Sequence, residues 1–186
     1  MIHLNAPLTK EDIRSLHAGD RVLLSGVIYT ARDAAHARLC AALDAGEDLP
    51  VDLRGQTVFY AGPTPTPPGK ACGAIGPTTS MRMDAFTPRL LRYGVSAMIG
   101  KGERGETVRE AVMETGAVYF AAIGGCAAYM AACVEALEVV AYEDLGTESI
   151  KRLIVRDLPL TVALDAQGGD AYAMGTARYR EMFPNP

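Results

Sequence analysis

The sequence predicts an α/β fold with parallel strand pairs, on three observations. Strand-like and helix-like segments alternate at short spacing, 49% of the residues are hydrophobic against 22% charged, and no apolar stretch reads as a membrane helix. At 186 residues the chain can bury a compact core and reads as a single domain over residues 1–186. Thr9, followed by Lys10-Glu11-Asp12, is a helix start: Thr9 is the N-cap, Asp12 stands three residues on where Glu or Gln is more usual, and Gly19 stops the helix. Arg21 to Tyr29, rich in Val, Leu and Ile, is a strand. Asp33 to Leu43, with several Ala and an acid at its start, is the helix after it. Gln56 to Ala61 is a further strand. Gly62 to Gly69 holds four prolines and two glycines, which makes it an ordered loop rather than a flexible linker.

Further along, Thr87 to Tyr93 is a short helix closed by Gly94, Val95 to Ile99 a strand, Glu106 to Glu114 a helix, Ala117 to Ile123 a strand and Cys126 to Leu137 an Ala-rich helix. Val139 to Tyr142, Leu153 to Val155 and Thr161 to Leu164 are short β segments that finish the domain as extra strands, leaving room for a second sheet layer. Ala117 to Val134 runs 18 residues without a charge, close to bilayer length. Half of it is Ala and Gly, and Gly124-Gly125 divides a β-like part from a helix-like one, so a buried strand, a turn and a packed helix explain it.

Charge and cysteine usage narrow the function classes. Lys and Arg number 18 against 22 Asp and Glu, a net charge of −4 with no long run of one sign, which supports neither a nucleic-acid footprint nor a membrane-binding patch. Met1 to Pro7 lacks the basic and apolar regions of a signal peptide, so no export is expected. Cysteines at 40, 72, 126 and 133 form no C-x-x-C and no zinc-spaced quartet; free thiols in a reducing cytoplasm are expected, with no metal bound by this chain.

Three segments carry chemistry. Gly76-Pro-Thr-Thr-Ser-Met-Arg-Met-Asp84 packs hydroxyls and one arginine between a strand and a helix, and could hold an anion through hydroxyls, backbone N–H groups and the Arg82 fork. The plainer reading is that Thr78 and Thr79 cap and Arg82 pairs with Asp84. In Thr30-Ala-Arg-Asp-Ala-Ala-His36, Arg32 stands at a strand-to-helix turn, the edge where open α/β sheets bind ligands. Asp33 there is a candidate N-cap, and His36 reads as a packed or solvated side chain. Gly100-Lys-Gly-Glu-Arg-Gly105 is a G-x-G-x-x-G between a strand and a helix, a possible dinucleotide turn, but the next strand, Ala117 to Ile123, ends without the acid that would hold a ribose. The same glycines would also suit a purely structural turn, and the chain as a whole a non-catalytic interaction domain. Together Arg32, Arg82 and Lys101 would bring three cations from separate strand ends, enough to hold a small dicarboxylate.

These segments resemble the β subunit, or C-terminal domain, of the iron-sulfur hydro-lyases that include class I fumarase and L-tartrate dehydratase. The resemblance rests on Tyr60-Ala-Gly-Pro-Thr-Pro with Pro68-Gly-Lys70, on Gly76 to Asp84, on Ile99-Gly-Lys-Gly102, on Gly124-Gly125 before an Ala-rich helix, and on Ser25-Gly with Ala31-Arg-Asp-Ala-Ala-His36. Leu158-Pro with Asp165 extends it towards the C-terminus, whereas Asp165-Ala-Gln-Gly-Gly-Asp170 departs from the family's pattern and is given no role.

The resemblance implies a swivelling β/β/α three-layer domain with parallel and mixed strands, and reversible hydration of fumarate to (S)-malate, or dehydration of L-tartrate. It implies that Arg32, Thr78, Arg82 and Lys101 bind substrate, that Arg82 and Lys101 take part in catalysis, and that Thr78 acts at the carbon that gains or loses the proton. A threonine hydroxyl is a weak base at neutral pH and needs a partner that this sequence does not name. Charge building on the substrate carboxylate would be met by the fixed cations. The Lewis acid for the leaving hydroxyl would be one iron of a [4Fe-4S] cluster carried by a partner α subunit, in an α2β2 assembly, none of it bound by this chain alone. Cys126 and Cys133, seven residues apart on the expected helix, read as small core residues.

Overall fold

The computed structural model describes residues 1–183. In chain order the elements are β1 (Ile2–Ala6), α1 (Lys10–Ser15), β2 (Arg21–Thr30), α2 (Asp33–Asp44), β3 (Thr57–Phe59), a 3-10 turn (Ser80–Met83), α3 (Thr87–Tyr93), β4 (Ala97–Gly100), α4 (Glu106–Thr115), β5 (Val118–Ala121), α5 (Ala127–Ala132), β6 (Val134–Ala141), a second 3-10 turn (Glu143–Glu148), β7 (Ile150–Leu164) and α6 (Ala171–Met182). The predicted α/β class with parallel pairs is what forms. β1–β2, β2–β3, β3–β4 and β4–β5 are parallel, while β7 runs antiparallel to β2, β5 and β6.

Two long strands organise the rest. β2 pairs with β1 along Val22 to Gly26 and with β3 at Tyr29 and Thr30, and along its whole length with β7. β7 in turn pairs with β6 in its first half and with β5 at Thr161, Val162 and Leu164. The pairings β2–β3–β4–β5–β7–β2 therefore close a ring, and the period of two along its strands sorts side chains into two cores. Phe59, Ala97, Ile99, Val118 and Phe120 point to an inner core shared with Val22, Leu24, Ile28, Leu153 and Val155. Their neighbours Val58, Tyr60, Met98, Ala117 and Tyr119 point outward to a second core with Ala35 and Leu39 of α2, Leu90 and Leu91 of α3, and Val108 and Val112 of α4. Strand layer, strand layer and helix layer follow from that alternation.

Several elements differ from the sequence reading, each for a tertiary reason. The helix expected over Cys126 to Leu137 stops at Ala132, and Val134–Ala141 is a strand, because pairing with β7 outweighs the helix preference of its Ala, Leu and Glu. Cys126 and Cys133 thus stand at the two ends of a six-residue helix rather than on one face of a longer one. The separate segments Leu153 to Val155 and Thr161 to Leu164 belong to one 15-residue strand, which Asp157 (φ 50°) and Pro159 disguised. Both lie between the stretches paired with β6 and β5, where Pro159 has a partner strand, β2, on one side alone. β1 and α6 had no expected counterpart, and α1 ends at Ser15, before Gly19. Thr9 and Asp12 form the expected reciprocal cap, with Asp12 N 3.0 Å from Thr9 Oγ1 and Thr9 N 2.9 Å from Asp12 Oδ2. No helix among the described residues is long and apolar enough to cross a membrane; the uncharged run 117–134 divides into β5, a turn and α5.

Gly26 marks the bulge where the β2–β7 register shifts, at φ 102°, and a Cβ there would overlap the carbonyl oxygen of Ala6. Gly26→Ala should lower the unfolding free energy by about 2–4 kcal/mol in urea titration, from left-handed strain plus displacement of β1; an unchanged midpoint would contradict this register.

Candidate functional site

The parallel strands β2, β3, β4 and β5 all end on one edge of the sheet, and each leads into a loop carrying a residue of interest: Arg32 after β2, Gly62 after β3, Lys101 after β4 and Gly124 after β5. The segment from Gly76 to Asp84 crosses this edge. Pro77 bridges Ala61, Thr78 N donates to Tyr60 O at 2.7 Å, Thr79 bridges Lys101, and Ser80 N donates to Lys101 O at 3.0 Å. Backbone hydrogen bonding thus seats Thr78 between the ends of β3 and β4. Its half-buried hydroxyl makes no hydrogen bond among the described residues.

Arg32 is the N-cap residue of α2 and Asp33 its first helical residue, so the expected N-cap role of Asp33 is not what forms. The Asp33 carboxylate faces two arginines instead: Arg82 Nε lies 2.8 Å from Oδ1 and Arg32 Nε 3.9 Å from Oδ2. Arg32 Nη2 lies 3.3 Å from Glu148 Oε1. The buried Arg32 Nε and Asp33 Oδ2 make no hydrogen bond, which leaves polar capacity inside the cluster. The Lys101 side chain lies along Gly124, where a Cβ would approach its Cδ and Nζ to 3.4 and 3.6 Å; no carboxylate pairs with it among the described residues. Three cations thus face one sheet edge against two carboxylates, Asp33 and Glu148. The net positive character suits a small anion.

The pairing of Arg82 with Asp84 does not occur, because Asp84 is committed to Arg104. That guanidinium is fully buried, with Nε 2.7 Å from Asp84 Oδ1, Nη2 2.7 Å from Thr87 Oγ1, and Cζ 5.3 and 5.0 Å from the ring centres of Tyr60 and Tyr119. The other Asp84 oxygen accepts from Gly105 N at 2.6 Å, at the start of α4. Tyr119 Oη donates within a cluster that includes Ser80 Oγ at 2.9 Å and Gly102 O at 2.8 Å, and Lys101 N donates to Ser80 Oγ at 2.9 Å. The two chemistry-bearing loops are therefore one hydrogen-bonded body. Sequence reasoning missed Arg104, Asp84 and both tyrosines as members of this network, and Glu148 as a partner of Arg32. The available signal was a Glu103-Arg104 pair between Gly102 and Gly105, just ahead of a helix whose first turn holds one acid.

This geometry also reassigns Gly100-x-Gly-x-x-Gly105. A Cβ on Gly100 would overlap Ser80 Oγ, and Asp84 occupies the α4 N-terminus where a pyrophosphate would sit. The glycines serve loop packing rather than a dinucleotide.

Comparison with known proteins gives the family. The profile described as Fumarase C-terminus matches residues 1–175. The chain belongs to the Fumarase C-terminus family. It is 39% identical over 176 residues to the aerobic class I fumarate hydratase of Escherichia coli K12, covering 92% of this chain and 32% of that protein. With fumarate hydratase 2 of Leishmania major the figures are 35% identity, 92% and 31%. A Methanocaldococcus jannaschii protein provisionally named L(+)-tartrate dehydratase subunit beta is 39% identical over 171 residues, covering 89% of this chain and 88% of that one. This Fumarase C-terminus chain therefore spans about a third of the fumarate hydratases it matches and most of the subunit-length relative.

The cysteines of this family member do not fit an iron-sulfur cluster. Cys40 and Cys72 are buried, Cys126 and Cys133 flank α5, and burial raises the thiol pKa of Cys40, Cys72 and Cys133, disfavouring the thiolate that ligates iron. No group of three His, Cys, Asp or Glu residues among the described residues could hold a metal ion. Asp165, given no role from sequence, is a buried turn anchor: its carboxylate accepts from Ala18 N, Gln167 N and Gly169 N at 2.8, 2.9 and 2.8 Å.

His36 is packed, as expected, with its ring edge-on to Tyr60 at 5.1 Å and Nδ1 2.9 Å from Arg32 O. Burial, aided by nearby Arg104, lowers its pKa from 6.5 to about 4. The unfolded chain therefore takes up this proton first on acidification. His36 contributes stability fully above pH 6.5 and loses it as pH falls towards 4, by roughly 3 kcal/mol. Urea unfolding across that range should show the gap between wild type and a non-titrating His36→Asn variant closing as pH falls. Arg104→Met, which strands the Asp84 carboxylate, should cost about 3–5 kcal/mol, and adding Asp84→Asn should recover part of it in a double-mutant cycle.

Proposed function

We propose that this chain is the β subunit of a class I fumarate hydratase, acting with a cluster-bearing α polypeptide in the reversible hydration of fumarate to (S)-malate in the cytoplasm. The observation that carries the reading is the placement of Arg32, Thr78, Arg82 and Lys101 on one sheet edge, with more cations than carboxylates. A dicarboxylate brings two negative charges and needs two separated cationic grips. Arg82 and Arg32 retain free guanidinium N–H groups for one carboxylate, and the Lys101 ammonium, unpaired among the described residues, would grip the other.

Proton transfer next to a carboxylate is difficult because negative charge accumulates on that group. Fixed cations already in place stabilise it without reorganising at the moment of reaction. In this reading Thr78, whose hydroxyl makes no hydrogen bond among the described residues and whose backbone is pinned to Tyr60, moves the proton at the substrate carbon. The [4Fe-4S] cluster belongs, in this reading, to the α polypeptide, since the cysteines here do not suit it, and an α2β2 assembly would place it at the subunit boundary. Support for a partner polypeptide comes from the name of the Methanocaldococcus jannaschii relative, a subunit beta.

An L(+)-tartrate dehydratase β subunit is the second reading, favoured by the subunit-length match to the Methanocaldococcus jannaschii protein. Fumarate and tartrate differ in hydroxyl count, so parallel assays separate them. The chain mixed with a cluster-loaded α polypeptide under argon should consume fumarate, followed by its absorbance. Arg82→Ala and Thr78→Ala should each reduce kcat/KM by about a hundredfold or more. Hydration that survives both substitutions would end the assignment, and turnover of tartrate alone would favour the second reading.

A further inference from the structure

Lys151, the second residue of β7, is 6% exposed, yet no carboxylate pairs with its ammonium among the described residues. Nζ donates instead to Gly146 O at 2.9 Å, Thr147 O at 3.1 Å, Ser149 O at 3.3 Å and Ser149 Oγ at 2.7 Å. Desolvation makes an ammonium in such a place costly, and burial accordingly lowers its pKa. What the charge obtains in return is a fixed shape for the turn before β7. The backbone at Gly146 departs from the helical path, at φ 56° and ψ −113°, and the ammonium collects the carbonyls of Gly146 itself and of Thr147 and Ser149 after it.

That turn delivers Glu148 to the cation cluster. One oxygen, Oε1, lies 3.3 Å from Arg32 Nη2, and the other accepts from Ala34 N at 2.9 Å in the first turn of α2. Gly62 permits the approach, since a Cβ there would come within 2.7 Å of Thr147 Cγ2 and 3.1 Å of Arg32 Cδ. Apart from Glu148, the one carboxylate paired with Arg32 among the described residues is Asp33, 3.9 Å from Nε. Without Glu148 the guanidinium would be held from one side, and the substrate itself would have to order it.

We propose that Glu148 is a positioning residue for the dicarboxylate-binding Arg32, and that Lys151, from beneath, fixes the turn that presents it. The inference rests on the hydratase reading for its substrate and adds two residues that the sequence reading did not name. Arg32 grips a carboxylate present in both ground and transition states, so its misplacement should appear in KM more than in kcat.

The test uses the full chain with its α polypeptide and fumarate, with tartrate in parallel. Glu148→Gln keeps an oxygen for Ala34 N and removes the charge facing Arg32. Its melting temperature should stay within about 2 °C of wild type. Its KM should rise about five- to tenfold while kcat changes less than about twofold. Lys151→Met should raise KM similarly, and the double variant should be no worse than the worse single, because both act through Arg32. The Arg32 Nε–H resonance, assigned with Arg32→Lys, should broaden in Glu148→Gln, a readout that stands even if Lys151→Met does not fold. An impaired Arg32→Ala beside a Glu148→Gln of wild-type KM overturns this inference alone, as do multiplying effects in the double variant. An Arg32→Ala as active as wild type overturns the hydratase site reading as well.

Discussion

A guanidinium taken wholly out of water is tolerated only where its charge and its donors are met, and the surroundings of Arg104 meet them with a carboxylate, a hydroxyl and two tyrosine faces. Those partners come from different parts of the chain: Tyr60 after β3, Asp84 and Thr87 before and within α3, Tyr119 from β5. The consequence reaches the sheet edge through Ser80, whose hydroxyl joins Tyr119 to the backbone of Lys101. The loop that bears Thr78 and Arg82 cannot shift without disturbing the loop that bears Lys101. Such a rigid support is what a site needs if its cations are to be in place before substrate arrives.

Holding three positive side chains near one edge is itself unfavourable, and the fold offsets it with two carboxylates set behind the arginines. Asp33 and Glu148 engage Arg82 Nε and Arg32 Nη2, and so orient each fork while leaving other N–H groups available. Among the described residues Lys101 has no such companion, and its side chain lies along Gly124, where a Cβ would make ordinary contact with Cδ and Nζ. The arrangement sets two arginines with carboxylate neighbours beside a lysine that has none among the described residues.

Much of this architecture was legible locally. The Val- and Ile-rich strands, the Thr9 cap, the glycine closing α3 and the hydroxyl-rich block 76–84 announce themselves through conformational preference and turn chemistry, which act over a few residues. The long strand β7 was not, because Asp157 and Pro159 break the pattern in sequence while pairing with β2 continues past them in space. The first part of β6 was hidden for the opposite reason: its Ala, Leu and Glu favour a helix, and only the neighbouring strand makes the extended form the better choice, whereas the end of β6 falls in the segment from Val139 to Tyr142 that reads as β in sequence.

By itself the sequence determined the class of fold and the resemblance to hydro-lyases, since both are carried by residue types at short spacing, and it singled out Arg32, Thr78, Arg82 and Lys101 as candidates that the folded chain brings to one sheet edge. Only the tertiary structure decided which acid answers which base. Arg82 turned from its near neighbour Asp84 to Asp33, Asp84 took Arg104 instead, and Glu148 reached Arg32 across 116 positions of chain. Charge pairing depends on distance and burial after the sheet has closed, and neither quantity exists in a one-dimensional string.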